Sequence, residues 1–281
     1  MRTTQFWKGQ GTGNDFVILL DRPGMIHLSQ ARVQWLCDRR FGIGGDGLLR
    51  ATRAGTIPEW DGDPDQWFMD YRNADGSIAE MCGNGLRVFT EFLREEGLIT
   101  GNEADIATRA GAKHVIAHGN GMVTADVGAA HVGSEGEASD LIVSCAGRRW
   151  PATPVDVGNP HAVVLLEAGE LDSLPVQTPP AWEPESVFPH GVNVEFVEQL
   201  DPGHVRMRVH ERGVGETLSC GTGTVAVAAA MSALTGHRGR WTVDVPGGRI
   251  HVEQSGDHYR LIGPAVIQIQ GEVIEPQLDV E

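Results

Sequence analysis

The chain has 281 residues, 41% hydrophobic and 21% charged, and its 38 acidic against 22 basic side chains leave a net charge of −16. This composition excludes a largely disordered chain, and the acidity disfavours phosphate backbones and anionic lipid, so neither a nucleic-acid nor a membrane partner is expected. The longest apolar run, residues 225–231, is far short of the roughly 20 residues that span a bilayer, and the first residues carry no apolar signal stretch; a soluble cytoplasmic protein is expected.

Glycine clusters punctuate the chain. Gly9-Gln-Gly-Thr-Gly-Asn-Asp15 leads into a strand predicted over 16–20. Residues 33–39 read as helical. Gly42-Ile-Gly-Gly-Asp-Gly47 formally fits a dinucleotide fingerprint, but no strand precedes it, so no such site is expected. Residues 53–66, with two prolines and several aspartates, read as an inserted surface loop. Cys82-Gly-Asn-Gly85 opens a helix with apolar residues at Leu86, Phe89, Phe92 and Leu93, stopped at Gly97. The stretch 109–115 reads as a turn and then a strand, and 128–140 suits a join. Further strands are predicted over 162–166, 192–197, 205–210, 241–245, 250–253 and 265–269. Residues 224–234 are apolar nearly all round and end at Gly236, which predicts a buried helix enclosed by sheet.

The two halves look like copies. Gly13-Asn14 and Gly158-Asn159 both lead into a strand. Cys82-Gly-Asn-Gly and Cys220-Gly-Thr-Gly both lead into a helix, and two glycine turns near 111 and 247 both lead into strands. The offsets run from 136 to 145 residues and keep their order. A duplicated domain of about 140 residues follows, within the usual size range for one domain. The halves are expected to be 1–128 with 267–281, and 129–266.

Of the four cysteines, none forms a C-x-x-C pair and no histidine lies at zinc spacing, so no metal site is expected. Cys37 and Cys145 read as packing residues. Cys82 and Cys220 sit at equivalent places, each before Gly-x-Gly and a helix. A thiol at a helix N-terminus is expected to have a depressed pKa, and the glycines let a carboxylate approach the backbone N–H groups. Two such groups suit a stereoinversion, in which one thiolate removes a proton from a carbon and one thiol returns a proton on the other face. The chain has two lysines, Lys8 and Lys113, in uninformative contexts, so a pyridoxal Schiff base and other cofactors are not expected. Oxidants are expected to inactivate such a thiol pair.

These motifs resemble the diaminopimelate epimerase family. They are Gly13-Asn14-Asp15-Phe16, Arg40-Phe-Gly-Ile-Gly-Gly-Asp46-Gly47, Asn73-Ala-Asp-Gly76, Met81-Cys82-Gly-Asn84-Gly85, Gly158-Asn159-Pro-His161, Gly191-Val-Asn193, and the run from Glu211-Arg212 to Cys220-Gly-Thr222-Gly223. The resemblance implies an α/β (α+β) fold of two pseudo-symmetric domains, each a mixed, largely antiparallel sheet wrapped around a central helix, with the site in the cleft between them. It implies cofactor-independent epimerisation of LL-diaminopimelate to meso-diaminopimelate, by an isomerase of lysine and peptidoglycan-precursor biosynthesis that works as a homodimer. Cys82 and Cys220 would be the acid/base pair. Gly83, Asn84, Gly221 and Thr222 would cradle the reacting carboxylate, and Asn14, Asn73, Asn159, Asn193 and Arg212 would hold the distant centre. Glu211, with His161, would lie beside the reacting ammonium group. The sequence departs from the family at Gly47, where some members carry a glutamine that touches substrate. Proline racemases and hydroxyproline epimerases are the alternative enzymes; they usually carry histidine in place of Asn84 and lack the Glu211–Glu216 run. An isomerase of the phenazine-biosynthesis type would lack the thiol pair, and a non-catalytic amino-acid-binding protein is the remaining alternative.

Overall fold

A computed structural model describes residues 2–133 and 141–276. In chain order the strands are β1 (Arg2–Gly11), β2 (Asn14–Asp21), β3 (Gly47–Arg53), β4 (Trp67–Asn73), β5 (Glu103–Ile106), β6 (Lys113–Ala117), β7 (Met122–Ala129), β8 (His131–Val132), β9 (Ile142–Cys145) and β10 (Arg148–Asp156). They continue with β11 (Pro160–Leu166), β12 (Ala181–Glu183), β13 (Asn193–Asp201), β14 (His204–Glu211), β15 (Gly215–Thr217), β16 (Trp241–Val245), β17 (Gly248–Ser255), β18 (His258–Pro264) and β19 (Val266–Glu275). The α-helices are α1 (Gln30–Cys37), α2 (Gly83–Glu95) and α3 (Gly221–Thr235). None of the described helices is long and apolar enough to cross a membrane. The chain divides into two compact units: residues up to Ala125 together with those from Gly263 on, and Asp126–Ile262.

In the first unit a five-stranded sheet runs β19-β1-β2-β3-β4. Strands β1 and β2 are antiparallel, β2 and β3 parallel, and β3 and β4 antiparallel. The parallel step needs a crossover, and α1 supplies it. Ser29 starts α1 by accepting the Arg32 N–H at 3.2 Å on its hydroxyl. Helix α2 is the central element of this unit. Its Leu86, Val88, Phe89, Phe92 and Leu93 pack with Phe16, Ile18, Leu49 and Met69 of the sheet and with Val115, Val123 and Ala125 of the β5-β6-β7 meander.

The second unit repeats the scheme. Strands β10 and β11 are antiparallel, β11 and β13 parallel, β13 and β14 antiparallel. Its sheet continues through β16 and β17 to β18. Helix α3 packs on β10, β11, β13, β16 and β17. Its apolar circumference is buried as the sequence requires, and Gly236 closes it in the left-handed region at φ 74°. The pseudo-symmetric fold read from the sequence is therefore present, with the same strand senses in both units.

Some strands escape the sequence pattern for a physical reason. Strand β4, at the edge of the sheet, carries Asp70, wholly buried, a charge that argues against a buried strand when read alone. Arg50, Arg72 and Arg109 neutralise it at 2.7, 3.1 and 2.8 Å. The stretch 53–66 is not simply a surface loop. Ala54 and Ile57 are buried and Trp60 packs on Phe68, so the segment is anchored. Of the presumed join at 128–140, Gly128 and Ala129 end β7 and His131–Val132 form β8; residues 134–140 lie outside the described ones.

Candidate active site

Cys82 is the N-cap of α2. Its extended backbone ends the preceding loop, and its Sγ accepts the Gly85 N–H at 3.4 Å. The next N–H groups, on Gly83 and Asn84, have no carbonyl four residues back within the helix, so the first turn is a ready anion cradle. Three side chains meet beside the sulfur. Cys82 Sγ donates to Asn14 Oδ1 at 3.8 Å, and Asn84 Nδ2 donates to the same oxygen at 3.3 Å. Asn14 Nδ2 in turn donates to Asp46 Oδ2 at 2.8 Å. Asp46 accepts only, so it fixes which end of the Asn14 amide faces the thiol. Asp46 and Asp15 are both held by Arg39. Asn73 ends β4, opposite Gly47 in the register, and bonds to Ser77 at 2.9 Å rather than to this network.

Gly47 explains the departure noted at that position. A Cβ there would stand 2.7 Å from the Arg72 carbonyl oxygen and 2.7 Å from the Tyr71 ring. Backbone does not yield to such a contact, so a substrate-touching side chain has no room at this point.

Cys220 is the N-cap of α3 in the same way, its Sγ accepting the Gly223 N–H at 3.4 Å. Its other neighbours are charged. Glu211, at the end of β14, accepts from Thr217 Oγ1 at 2.5 Å, and its charge acts on Cys220. Glu195 on β13 and His161 on β11 are wholly buried and bonded at 2.7 Å. His161 Nε2 lies 3.1 Å from Asn159 Oδ1. Asn193 pairs with His161 across β11 and β13, and its Oδ1 accepts the Arg212 N–H at 2.9 Å. The Arg212 side chain lies against Gly191, donating to the His190 carbonyl at 3.2 Å. Gly221 and Thr222 form the first turn, with Thr222 Oγ1 3.6 Å from Cys220 Sγ.

The first unit thus gathers Asn14, Cys82, Gly83 and Asn84. The second gathers Asn159, His161, Asn193, Glu211, Arg212, Cys220, Gly221 and Thr222. One expectation is corrected. A helix N-terminus alone would lower the Cys220 pKa, but it is pushed well up, first by burial and then by Glu211 and Glu195. The Thr222 hydroxyl and Gly223 N–H oppose this and do not outweigh it. Burial and Glu195 likewise push Glu211 up. Cys37 and Cys145 are buried packing residues, and burial first of all pushes the Cys37 thiol up to about 12.

Two residues of this surrounding escaped the sequence reading, Arg87 and Glu195, and Asp46 stood in a motif without a role. Arg87, buried on α2, donates to Asn84 Oδ1 at 3.0 Å. Arg87 stands between Leu86 and Val88 on a buried helix, and Glu195 between Val194 and Phe196 on a buried strand. A charge inside an apolar run was the available signal.

The diaminopimelate epimerase family model matches residues 6–132 and 153–268. The diaminopimelate epimerase of Streptomyces coelicolor is 48% identical over 281 aligned residues, covering 95% of this chain and 94% of that protein. That of Rhodococcus opacus is 47% identical, covering 95% and 96%. Among solved structures, a Bacillus anthracis phenazine-biosynthesis protein superposes with a TM-score of 0.72 at 16% identity, covering 98% of this chain and all of that one. At so low an identity the likeness concerns the fold alone. Family model and relatives span nearly the whole chain, the matched residues of the model cover both cysteine motifs, and the chain belongs to the diaminopimelate epimerase family.

Proposed function

We propose that this chain epimerises LL-2,6-diaminopimelate to meso-diaminopimelate with no cofactor, using Cys82 and Cys220 as the paired base and acid at the α-carbon. One observation carries the reading. Within a member of this family, two equivalent helices each begin on a cysteine whose sulfur accepts the N–H three residues on.

The chemistry follows from those groups. A thiolate takes the α-proton, and the electron pair left on carbon spreads into the α-carboxylate. Charge therefore grows on the carboxylate oxygens during the step. Donors already aimed there, on Gly83, Asn84, Gly221 and Thr222, stabilise the transition state more than the ground state. The second thiol returns a proton on the opposite face. Asn14, Asn73, Asn159, Asn193 and Arg212 bind the distant centre, whose ammonium needs acceptors and whose carboxylate suits a guanidinium fork. Glu211 and His161 take the ammonium group beside the reacting carbon. Diaminopimelate is the one partner proposed besides a second copy of the chain, in a cytoplasmic setting where thiols stay reduced.

Incubation in heavy water tests the reading. With LL-diaminopimelate, one solvent deuteron is expected at the inverted α-carbon. With L-proline none is expected. Label in proline but not in diaminopimelate would reassign the enzyme to the proline racemases.

A further inference from the structure

The parallel step from β11 to β13 is crossed by residues 167–192. They carry 3-10 turns and the short β12 where the first unit has α1. The segment is anchored by Leu171, Leu174 and Val176, which are buried with Val164, Val194 and Phe196. Its backbone carbonyls meet one face of β14. Alternation along that strand buries Val205, Met207 and Val209 on one side, with Glu211 next in the row, and sets Arg206, Arg208 and His210 on the other. All three of the latter are bound to the crossing segment. Arg206 donates to Asp172 at 3.0 Å, and Arg208 Nη1 donates to the Leu171 and Leu174 carbonyls at 2.9 and 2.8 Å. His210 Nδ1 lies 2.8 Å from the Val176 carbonyl oxygen.

Strand β15 folds back on β14 through a turn at 212–214. Gly213 at φ 78° and Gly215 at φ 100° give the turn its shape and little stiffness of its own. Two side-chain pairs tie the two strands, one on each face. On the Cys220 side Thr217 Oγ1 donates to Glu211. On the other side Arg208 grips Glu216 with two bonds, of 2.7 and 2.9 Å. Gln177 of the crossing segment adds a third tie. Its Oε1 accepts the Glu216 N–H at 3.3 Å, and its amide lies so close over Gly215 that a Cβ there would stand 2.7 Å from Nε2. Aligned on the cysteines, the first unit has Asp70 and an exposed Ile78 at the places of Arg208 and Glu216, so this clamp belongs to the second unit.

We propose that Arg208, Glu216 and Gln177 are positioning residues that hold the hairpin bearing Glu211 and Arg212 in register with the crossing segment. The inference rests on the two-cysteine reading, in which Glu211 takes the ammonium beside the reacting carbon and Arg212 the distant carboxylate. A bidentate pair of guanidinium and carboxylate fixes both distance and plane. Neighbouring residues of a strand point to opposite faces, so Glu216 held on one face sets Thr217 on the other, and Thr217 holds the Glu211 carboxylate. A misplacement of about 1 Å that starts far from the chemistry can cost about 100-fold in rate, which is what the clamp prevents.

Steady-state kinetics on LL-diaminopimelate, joined to hydrogen exchange of the peptide spanning 211–217, tests this. Arg208→Met and Glu216→Gln are each expected to lower kcat/KM by about 10- to 100-fold and to speed exchange in that peptide. Arg208→Lys keeps the charge but loses the fork, and should recover only part of the loss. Where Arg208→Met fails to fold, Glu216→Gln and the milder Gln177→Ala carry the test. Arg206→Met is the control: bound to the same segment but further from the turn, it should lower the urea midpoint and leave kcat/KM unchanged. In a Thr217→Val background Arg208→Met should cost little more, because the link to Glu211 is already cut. Equal kinetic losses in Arg206→Met and Arg208→Met, additive losses in the double variant, or faster exchange with unchanged kcat/KM would overturn the proposal and leave general stabilisation alone. A native chain inactive on diaminopimelate would overturn the reading beneath it as well, and the heavy-water experiment shows that before any variant is made.

Discussion

Helices α2 and α3 begin alike, on a cysteine followed by Gly-x-Gly whose third N–H binds the sulfur at 3.4 Å. What lies against those two turns differs. Aligned on the cysteines, Arg87 of α2 falls where α3 has Val225. Aligned on the Gly-Asn turns, Phe16 of β2 falls where β11 has His161. Phe16 pairs with Gly47 on β3, and His161 with Asn193 on β13. Two residues further on stand Leu49 and Glu195. A Cβ at Gly85 would accordingly meet Leu49 and Phe16 side chains, while one at Gly223 would meet the Glu195 carboxylate. The fold repeats the backbone device and varies the charge: an apolar floor and a buried cation under one thiol, a buried acid and imidazole under the other. A repeated backbone thus fixes where each sulfur sits, and the unrepeated side chains fix what surrounds it.

The bluntest way to break the comparison is to remove either sulfur. If both units contribute a proton carrier, Cys82→Ala and Cys220→Ala should each cut epimerisation by on the order of 10²- to 10⁴-fold. A steady-state assay on both variants decides it. Near-normal turnover in either one would make that unit's cysteine dispensable.

Glycine substitutions probe the floors directly. Gly85→Ala places a methyl 3.4 Å from carbon atoms of Cys82, Leu49 and Phe16, an ordinary contact. Alanine also favours the helix by about 0.5–1 kcal/mol, so little net loss of stability is expected. Gly223→Ala sets the same methyl 2.6 Å from a carboxylate oxygen and 3.3 Å from the sulfur. Overpacking of this kind typically destabilises by about 1–3 kcal/mol, and here it also displaces Glu195 from His161. Urea midpoints of the two variants should separate, with Gly223→Ala the weaker. Equal midpoints would mean that the two floors are mechanically alike.

Much of this was legible in the sequence. The cysteine motifs, the Gly-Asn turns and the apolar α3 are local features, and local features survive in a string of letters. Residues 16–20, 162–166 and 241–245 show their strands because their apolar residues need no partner to explain them. The charges were harder. Asp70 in β4 makes sense only beside Arg50, Arg72 and Arg109, two of which come from other segments. Glu195 is tied to a histidine 34 residues away. The raised Cys220 thiol is a further instance: the helix tip is visible in sequence, while burial and two carboxylates from separate strands are not.

The finest test concerns the rim of the first unit, where the repeat breaks again. Asp15 follows Asn14, and the matching residue after Asn159 is Pro160, so no ionic group can stand there. Asp15 pairs with Arg39 at 2.6 Å and Lys8 at 3.1 Å. Burial pushes its carboxyl up, but the two cations outweigh it and hold the pKa at about 2. An unfolded aspartate titrates near 3.9. The folded value is the lower one, so the pair's contribution is complete above about pH 4 and is lost as pH falls toward 2. The Asp15 side chain is 14% exposed but that of Arg39 is 55% exposed, and screening of the pair reduces the expected contribution to about 1 kcal/mol at neutral pH. Asp15→Asn should therefore lower the urea midpoint at pH 7, and the gap to the native chain should close on acidification toward pH 2. A gap that stays constant, or widens, would show that Asp15 stabilises the Asn14 turn through its shape and not its charge.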